Sequence, residues 1–265
     1  LARTWEEDFD KININNYDER KEDYTAQVPE GVLILTFGAD TQDDRIECEI
    51  IGWGEHEESW SIDYKIFYGD TSKPEVWQDF DAFLLKTWTH ESGGLMRVFC
   101  GAVDTGGHRT KEAYAFCKPR FSRRVFAIKG AKAIDAPISP RLATRTNKAN
   151  IPLFNIGVNK AKDVIYSHIQ TEEPGAGYMH FPNEKGYNEE YFKQLTAEKR
   201  GKDGRWSKTR ARNEALDVRV YGYAALFIAN VDLELLAIRG AVFEAVKQEP
   251  IKKKKRVNKN HLDEY

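Results

Sequence analysis

Two near-continuous apolar runs of strand length, residues 32–39 (VLILTFGA) and 95–103 (LMRVFCGAV), constrain this chain more than any other feature. Such runs are expected of strands buried on both faces of a sheet, whereas a strand with one wet face alternates. Each run ends at an acid: Asp40 precedes the turn-forming Thr41-Gln42-Asp43-Asp44, and Asp104 precedes Thr105-Gly106-Gly107. In open α/β sheets ligands collect in the loops beyond strand ends, so two acids delivered there invite a metal ion.

Around these runs the patterning predicts alternating elements. Residues 45–53 (RIECEIIGW) and 58–67 (ESWSIDYKIF) alternate with period two, giving an antiparallel meander with the first apolar strand. Apolar positions 76, 77, 80, 83 and 84 predict an amphipathic helix over 74–87, opened by Ser72 or Pro74. Further on, the chain reads as a helix over 111–117 stopped by Pro119, a strand over 124–128 and a strand over 152–158. A helix over 161–170, a strand over 178–181 and a helix over 188–199 follow. A final helix, capped by Thr209 or Asn213, carries Leu216, Val220, Tyr223, Ala224 and Phe227 at helical spacing. This order predicts an α/β fold of the ribonuclease H-like kind, a mixed sheet of antiparallel meander plus parallel strands flanked by helices.

At 265 residues, with 41% hydrophobic and 31% charged, the chain can bury a full core. Neither an 18-residue apolar run nor a basic-then-apolar leader is present, so the chain reads as intracellular, with no membrane partner. Cys48, Cys100 and Cys117 lack C-x-x-C spacing and read as buried, inert thiols. The net charge of −2 conceals a strong segregation. Residues 6–30 are acidic, while residues 118–148 hold nine bases against Asp135, and residues 199–212 hold seven against Asp203. A further basic run, 252–256, lies in the tail. Two interior basic stretches point to a polyanionic partner, because each neutralised phosphate releases counterions.

Glu214 and Asp217 lie three apart at the start of the final helix, hence on one face. With Asp40 and Asp104 they form an oxygen-only donor set suited to Mg²⁺ or Mn²⁺, as in sites where two ions cleave a phosphodiester. Taken singly, each acid also reads as a turn former or a helix N-terminal charge.

The wording GADTQDDR (38–45), AVDTGG (102–107), IKG (128–130) and RNEALD (212–217) with Tyr221 resembles the nuclease domain of lambda-like phage terminase large subunits. The resemblance implies a DNA endonuclease that cuts concatemeric viral DNA during packaging in the host cytoplasm. It implies metal ligation by Asp40, Asp104 and Glu214 with Asp217 close by, two Mg²⁺ or Mn²⁺ ions, and Lys129 near the scissile phosphate. Family partners are double-stranded DNA, a terminase small subunit and the portal or procapsid. The basic side chains Arg123, Arg124, Arg205, Lys208, Arg210 and Arg212 are the expected DNA contacts. Residues 1–28 then read as a linker from an N-terminal ATPase, 29–240 as the nuclease domain and 241–265 as a basic tail. No G-x-x-x-x-G-K-[ST] loop occurs, so translocation is not expected of this chain.

Other readings use the same residues. Asp104-Thr105-Gly106 matches the aspartic protease triplet, but a second such loop is missing. A sugar-kinase-like ATPase would need a glycine that 40–43 lacks. A junction resolvase or transposase would use the same acids, and a non-catalytic nucleic-acid or procapsid-binding module would use only the basic stretches.

Overall fold

The computed structural model describes residues 20–145 and 147–243, so the expected linker over 1–28 lies mostly outside the described residues, as does nearly all of the tail. The strands are β1 (Lys21–Glu22), β2 (Ile34–Thr41), β3 (Arg45–Trp53), β4 (Ser59–Tyr68), β5 (Trp88–Thr89), β6 (Leu95–Met96) and β7 (Val98–Asp104). They continue with β8 (Val125–Gly130), β9 (Leu153–Ile156), β10 (Met179–Pro182), β11 (Glu198–Arg200) and β12 (Trp206–Lys208). The helices are α1 (Pro74–Leu84), α2 (Thr110–Arg120), α3 (Val158–Gln170), α4 (Glu189–Leu195), α5 (Glu214–Ile228) and α6 (Leu233–Arg239).

One eight-stranded sheet, in the order β1-β10-β4-β3-β2-β7-β8-β9, forms the middle layer. The meander β2-β3-β4 is antiparallel, and β7, β8 and β9 add to β2 in parallel, which is the predicted mixed sheet. Every residue of β2 is buried. Helices α3, α4 and α5 cover one face and α1 and α2 the other, each over its own apolar cluster. The predicted face of α1 is the one buried: Val76, Trp77, Phe80, Phe83 and Leu84. Pro74 occupies its first turn, where a missing N–H costs nothing.

Several boundaries differ from the sequence reading. Pro119 lies inside α2, one residue before its end, where its ring constrains only the last turn. The helix expected over 188–199 stops at Leu195, and residues 198–200 instead pair antiparallel with 206–208. The alternation of β3 predicts a wet face, yet Glu47 and Glu49 are fully buried, because the helices of the α5 layer cover them. Asn213 occupies the N-cap position of α5 without making a capping bond, its amide being used elsewhere. All three cysteines are free and buried. Among the described residues no single helix is long and apolar enough to cross a membrane.

Helix α5 crosses β2 at close range. A Cβ at Gly38 would lie 1.8 Å from the Val218 carbonyl oxygen, so only glycine permits this approach. Thr36 Oγ1 adds a bond to the Gly222 carbonyl at 3.1 Å. Gly38 stands two residues before Asp40 and Val218 one after Asp217, so this crossing presses the start of α5 against the end of β2.

Candidate active site

Four acids approach one another at the carboxyl ends of β2 and β7. Ala39 is in register with Val103 across the parallel pair, so Asp40 and Asp104 are the next residues on adjacent strands. Asp104 is paired in register with Ile128, and Lys129 follows at the exposed end of β8. The Thr105 amide and hydroxyl both donate to the Ile128 carbonyl, at 3.0 and 2.7 Å, fixing the loop after Asp104.

The electrostatics separate these acids into two kinds. Asp40 is 5% exposed, and burial raises its pKa to about 7, with the charges of Asp217, Asp104 and Glu214 adding to the effect. Its hydrogen-bond partner is the neutral amide of Gln42, 2.5 Å away. Asp104 is raised to about 6, again mainly by burial, against which the Gly106 and Thr105 amides and the Lys129 charge act. Asp217 is among the largest charge effects on both strand acids, and Glu214 among those on Asp40. A buried carboxyl that lacks a cation prefers its proton, or another cation in its place.

The helix acids, by contrast, are held. Glu214 accepts from Arg45 Nη2 at 2.8 Å and Arg212 Nε at 3.2 Å. These arginines also meet on Glu47 Oε1, at 2.6 and 2.5 Å, while the Tyr64 hydroxyl donates to Glu47 Oε2. Asp217 Oδ1 lies 3.3 Å from Lys162 Nζ, and Asp217 Oδ2 accepts from Asn213 Nδ2 at 2.9 Å. Burial raises the Asp217 pKa, with Lys162 opposing.

The four acids therefore stop short of a closed ligand sphere. Among the described residues, the group whose ligand atoms all lie within 4.8 Å of one another is Glu55, His56 and Glu234, exposed at the opposite end of the sheet. The donor chemistry of Asp40 and Asp104 nevertheless fits a hard divalent cation: oxygen ligands, buried at Asp40 and half-buried at Asp104, mutually repelling and, among the described residues, without a paired lysine or arginine.

The expected DNA contacts divide in space. Arg205 and Lys208 are exposed on or beside the β11–β12 hairpin, and Arg210 is exposed in the loop that leads from it to α5. The charge of Lys208 acts on Asp217. Trp206 docks this hairpin onto α3, with its ring 4.1 Å from that of Tyr166 and its Nε1 donating to Asp163 at 2.9 Å. Arg212 is occupied by Glu47 and Glu214, as described above. Arg123 and Arg124 are not brought to the site. They lie at the opposite end of β8 from Lys129, where Arg123 pairs with Asp81 at 2.8 Å and Arg124 stacks 4.2 Å from the Phe99 ring centre. His108 is exposed beside Asp43.

Sequence reasoning missed Arg45, Lys162 and Glu198. Lys162 carried a usable signal, since it falls on the buried face of α3 with Ala161, Ile165, Tyr166 and Ile169. A lysine is rarely buried without a partner, so that position asks for an acid from elsewhere.

The family model described as "Terminase large subunit gpA, endonuclease domain" matches residues 1–238. The large terminase subunit of Escherichia phage lambda is 36% identical over 263 residues, covering 92% of this chain and 40% of that protein. The large terminase subunit of Enterobacteria phage P21 is 30% identical over 255 residues, covering 89% of this chain and 40% of its own length. The chain thus spans 40% of the length of the curated relatives it matches. No solved structure matches significantly. With the match spanning the sheet, the acid-bearing strand ends and α5, the chain belongs to the family of terminase large subunit gpA endonuclease domains.

Proposed function

We propose that this chain is a Mg²⁺- or Mn²⁺-dependent endodeoxyribonuclease that cuts concatemeric viral DNA during genome packaging. The observation that supports this reading most is the pairing of Asp40 and Asp104, side by side at strand ends, buried or half-buried and, among the described residues, without a salt-bridge partner. Asp40 and Asp104 would hold divalent ions, with Asp217 the nearest further carboxylate in electrostatic effect and Glu214 beside Asp40. Ions held there would supply activation of the attacking water and stabilisation of the leaving oxygen. Lys129, at the open end of β8, holds positive charge beside the phosphate as its negative charge grows. Arg205, Lys208 and Arg210 hold the duplex backbone on the hairpin side of the site. The small terminase subunit and the portal or procapsid are the further partners this reading includes.

Supercoiled plasmid incubated with EDTA, Mg²⁺ or Mn²⁺ tests the proposal. Cleavage is expected with either metal, absent with EDTA, and absent in Asp40→Ala. Metal-independent cleavage, or none by the parent, overturns it, and DNA binding without cleavage would favour a binding module.

A further inference from the structure

We infer that Lys162 is a positioning residue of the acid cluster, a buried ammonium that fixes the carboxylate of Asp217 beside Asp40 and Asp104. The inference rests on the metal-site reading above.

Lys162 closes a ring of four side chains. Its Nζ lies 2.6 Å from Glu198 Oε1 and 3.3 Å from Asp217 Oδ1. The Asn213 amide closes the other half, donating to the same Glu198 oxygen at 2.6 Å and to Asp217 Oδ2 at 2.9 Å. Lys162 and Glu198 are each 6% exposed and Asn213 is 2% exposed, so the ring is largely shielded from water. The Tyr166 hydroxyl completes the frame, donating to the Glu198 carbonyl at 2.5 Å and accepting from the Glu198 amide at 3.1 Å.

An ion pair whose only task is to fasten α3 to β11 would be complete with Lys162 and Glu198. The lysine here also reaches Asp217, on a third element. Each oxygen of that carboxylate receives one donor from the ring, an ammonium on one and an amide on the other. Two donors on different oxygens define the rotation of the carboxylate plane and leave further lone pairs for a cation. Partners of this kind orient metal ligands, and their removal typically weakens metal binding about 10–100-fold.

Calorimetric titration of Mn²⁺ into the 265-residue chain without DNA tests this independently of catalysis. Lys162→Met is expected to bind Mn²⁺ roughly 10–100-fold more weakly than the parent. Lys162→Arg, which keeps a cation within reach of both carboxylates, is expected to recover most of that loss. Thermal melting identifies unfolded variants, and Lys162→Gln replaces the Met variant if that one does not fold. A folded Met or Gln variant that binds Mn²⁺ as tightly as the parent overturns the inference while leaving the metal site standing. A parent that binds no Mn²⁺, or binds it no better than Asp40→Ala, instead overturns the metal-site reading and this inference with it.

Discussion

Asp40 and Glu47 are direct partners across β2 and β3, both buried, yet the fold treats them in opposite ways. Glu47 is saturated: two arginines share one of its oxygens and a tyrosine hydroxyl takes the other. Its neighbour Glu49, fully buried, receives Arg219, Ser61, Tyr187 and Tyr191 on Oε1. Among the described residues, Asp40 receives one neutral amide, and Asp104 next to it receives backbone amides and the distant charge of Lys129. A buried charge surrounded by donors holds elements together. One left short of donors is a place where a cation from outside binds favourably.

The sharpest break of this comparison exchanges the two kinds of acid. Asp40→Ala is expected to abolish cleavage, by at least roughly 10³-fold, while the domain still melts cooperatively. Glu49→Ala is expected to do the reverse. It strands Arg219 in the core at a cost of about 3–5 kcal/mol, a fall in Tm of roughly 10 °C, with activity lost only in proportion to unfolding. Equal thermal losses in both variants would erase the distinction.

Metal affinity should separate the two acids of α5 next. Both Glu214 oxygens are engaged by arginines, whereas Asp217 is among the largest charge effects on both strand acids, so Asp217→Ala is expected to weaken Mn²⁺ binding and cleavage more than Glu214→Ala. In Glu214→Ala, activity should recover substantially at high Mn²⁺ after a loss of roughly 10–100-fold. The opposite ranking in a Mn²⁺ titration would make Glu214 the direct ligand.

pH offers a third test. The carboxyls of Asp40 and Asp104 are raised in the folded state to about 7 and about 6, above their unfolded values near 4. The folded state thus holds protons more tightly, and stability it gains from them below about pH 4 is lost as pH rises toward 7. Metal-free parent should therefore melt lower at pH 8 than at pH 5, and Asp40→Asn should narrow that difference by on the order of 5 °C. Mn²⁺ affinity should climb over the same range, since ligation requires the deprotonated form. A flat affinity between pH 5 and 8 would show that these acids ionise normally.

The smallest effect concerns the basic residues. Replacing Arg205, Lys208 and Arg210 with glutamine should reduce the slope of log affinity against log salt by at most about 0.9 for each phosphate no longer neutralised. The same change at Arg123 and Arg124 should leave the slope untouched, because those side chains stand at the other end of the sheet on Asp81 and Phe99. Equal reductions would extend the DNA path along the whole strand.

The sequence by itself determined the sheet, the order of its main strands and the two acids at its centre. The ends of the two apolar runs at Asp40 and Asp104 are local signals, because a strand's termination is written in consecutive residues, but the start of the second run is not: Leu95–Met96 pair with Trp88–Thr89 in a separate sheet, and the strand proper begins at Val98. Only tertiary structure decided which charges are already paired. Arg212 reads as a DNA contact in a basic loop, but Glu47 and Glu214 occupy it. Arg123 and Arg124 read as part of the same basic stretch as Lys129, yet a strand carries its two ends to opposite edges of the sheet. Lys162 and Glu198 lie 36 residues apart and become partners only when α3 and β11 pack together. Pairing of buried charges is a long-range property. Its energy depends on what else shares the low-dielectric space, and no window of neighbouring residues contains that information.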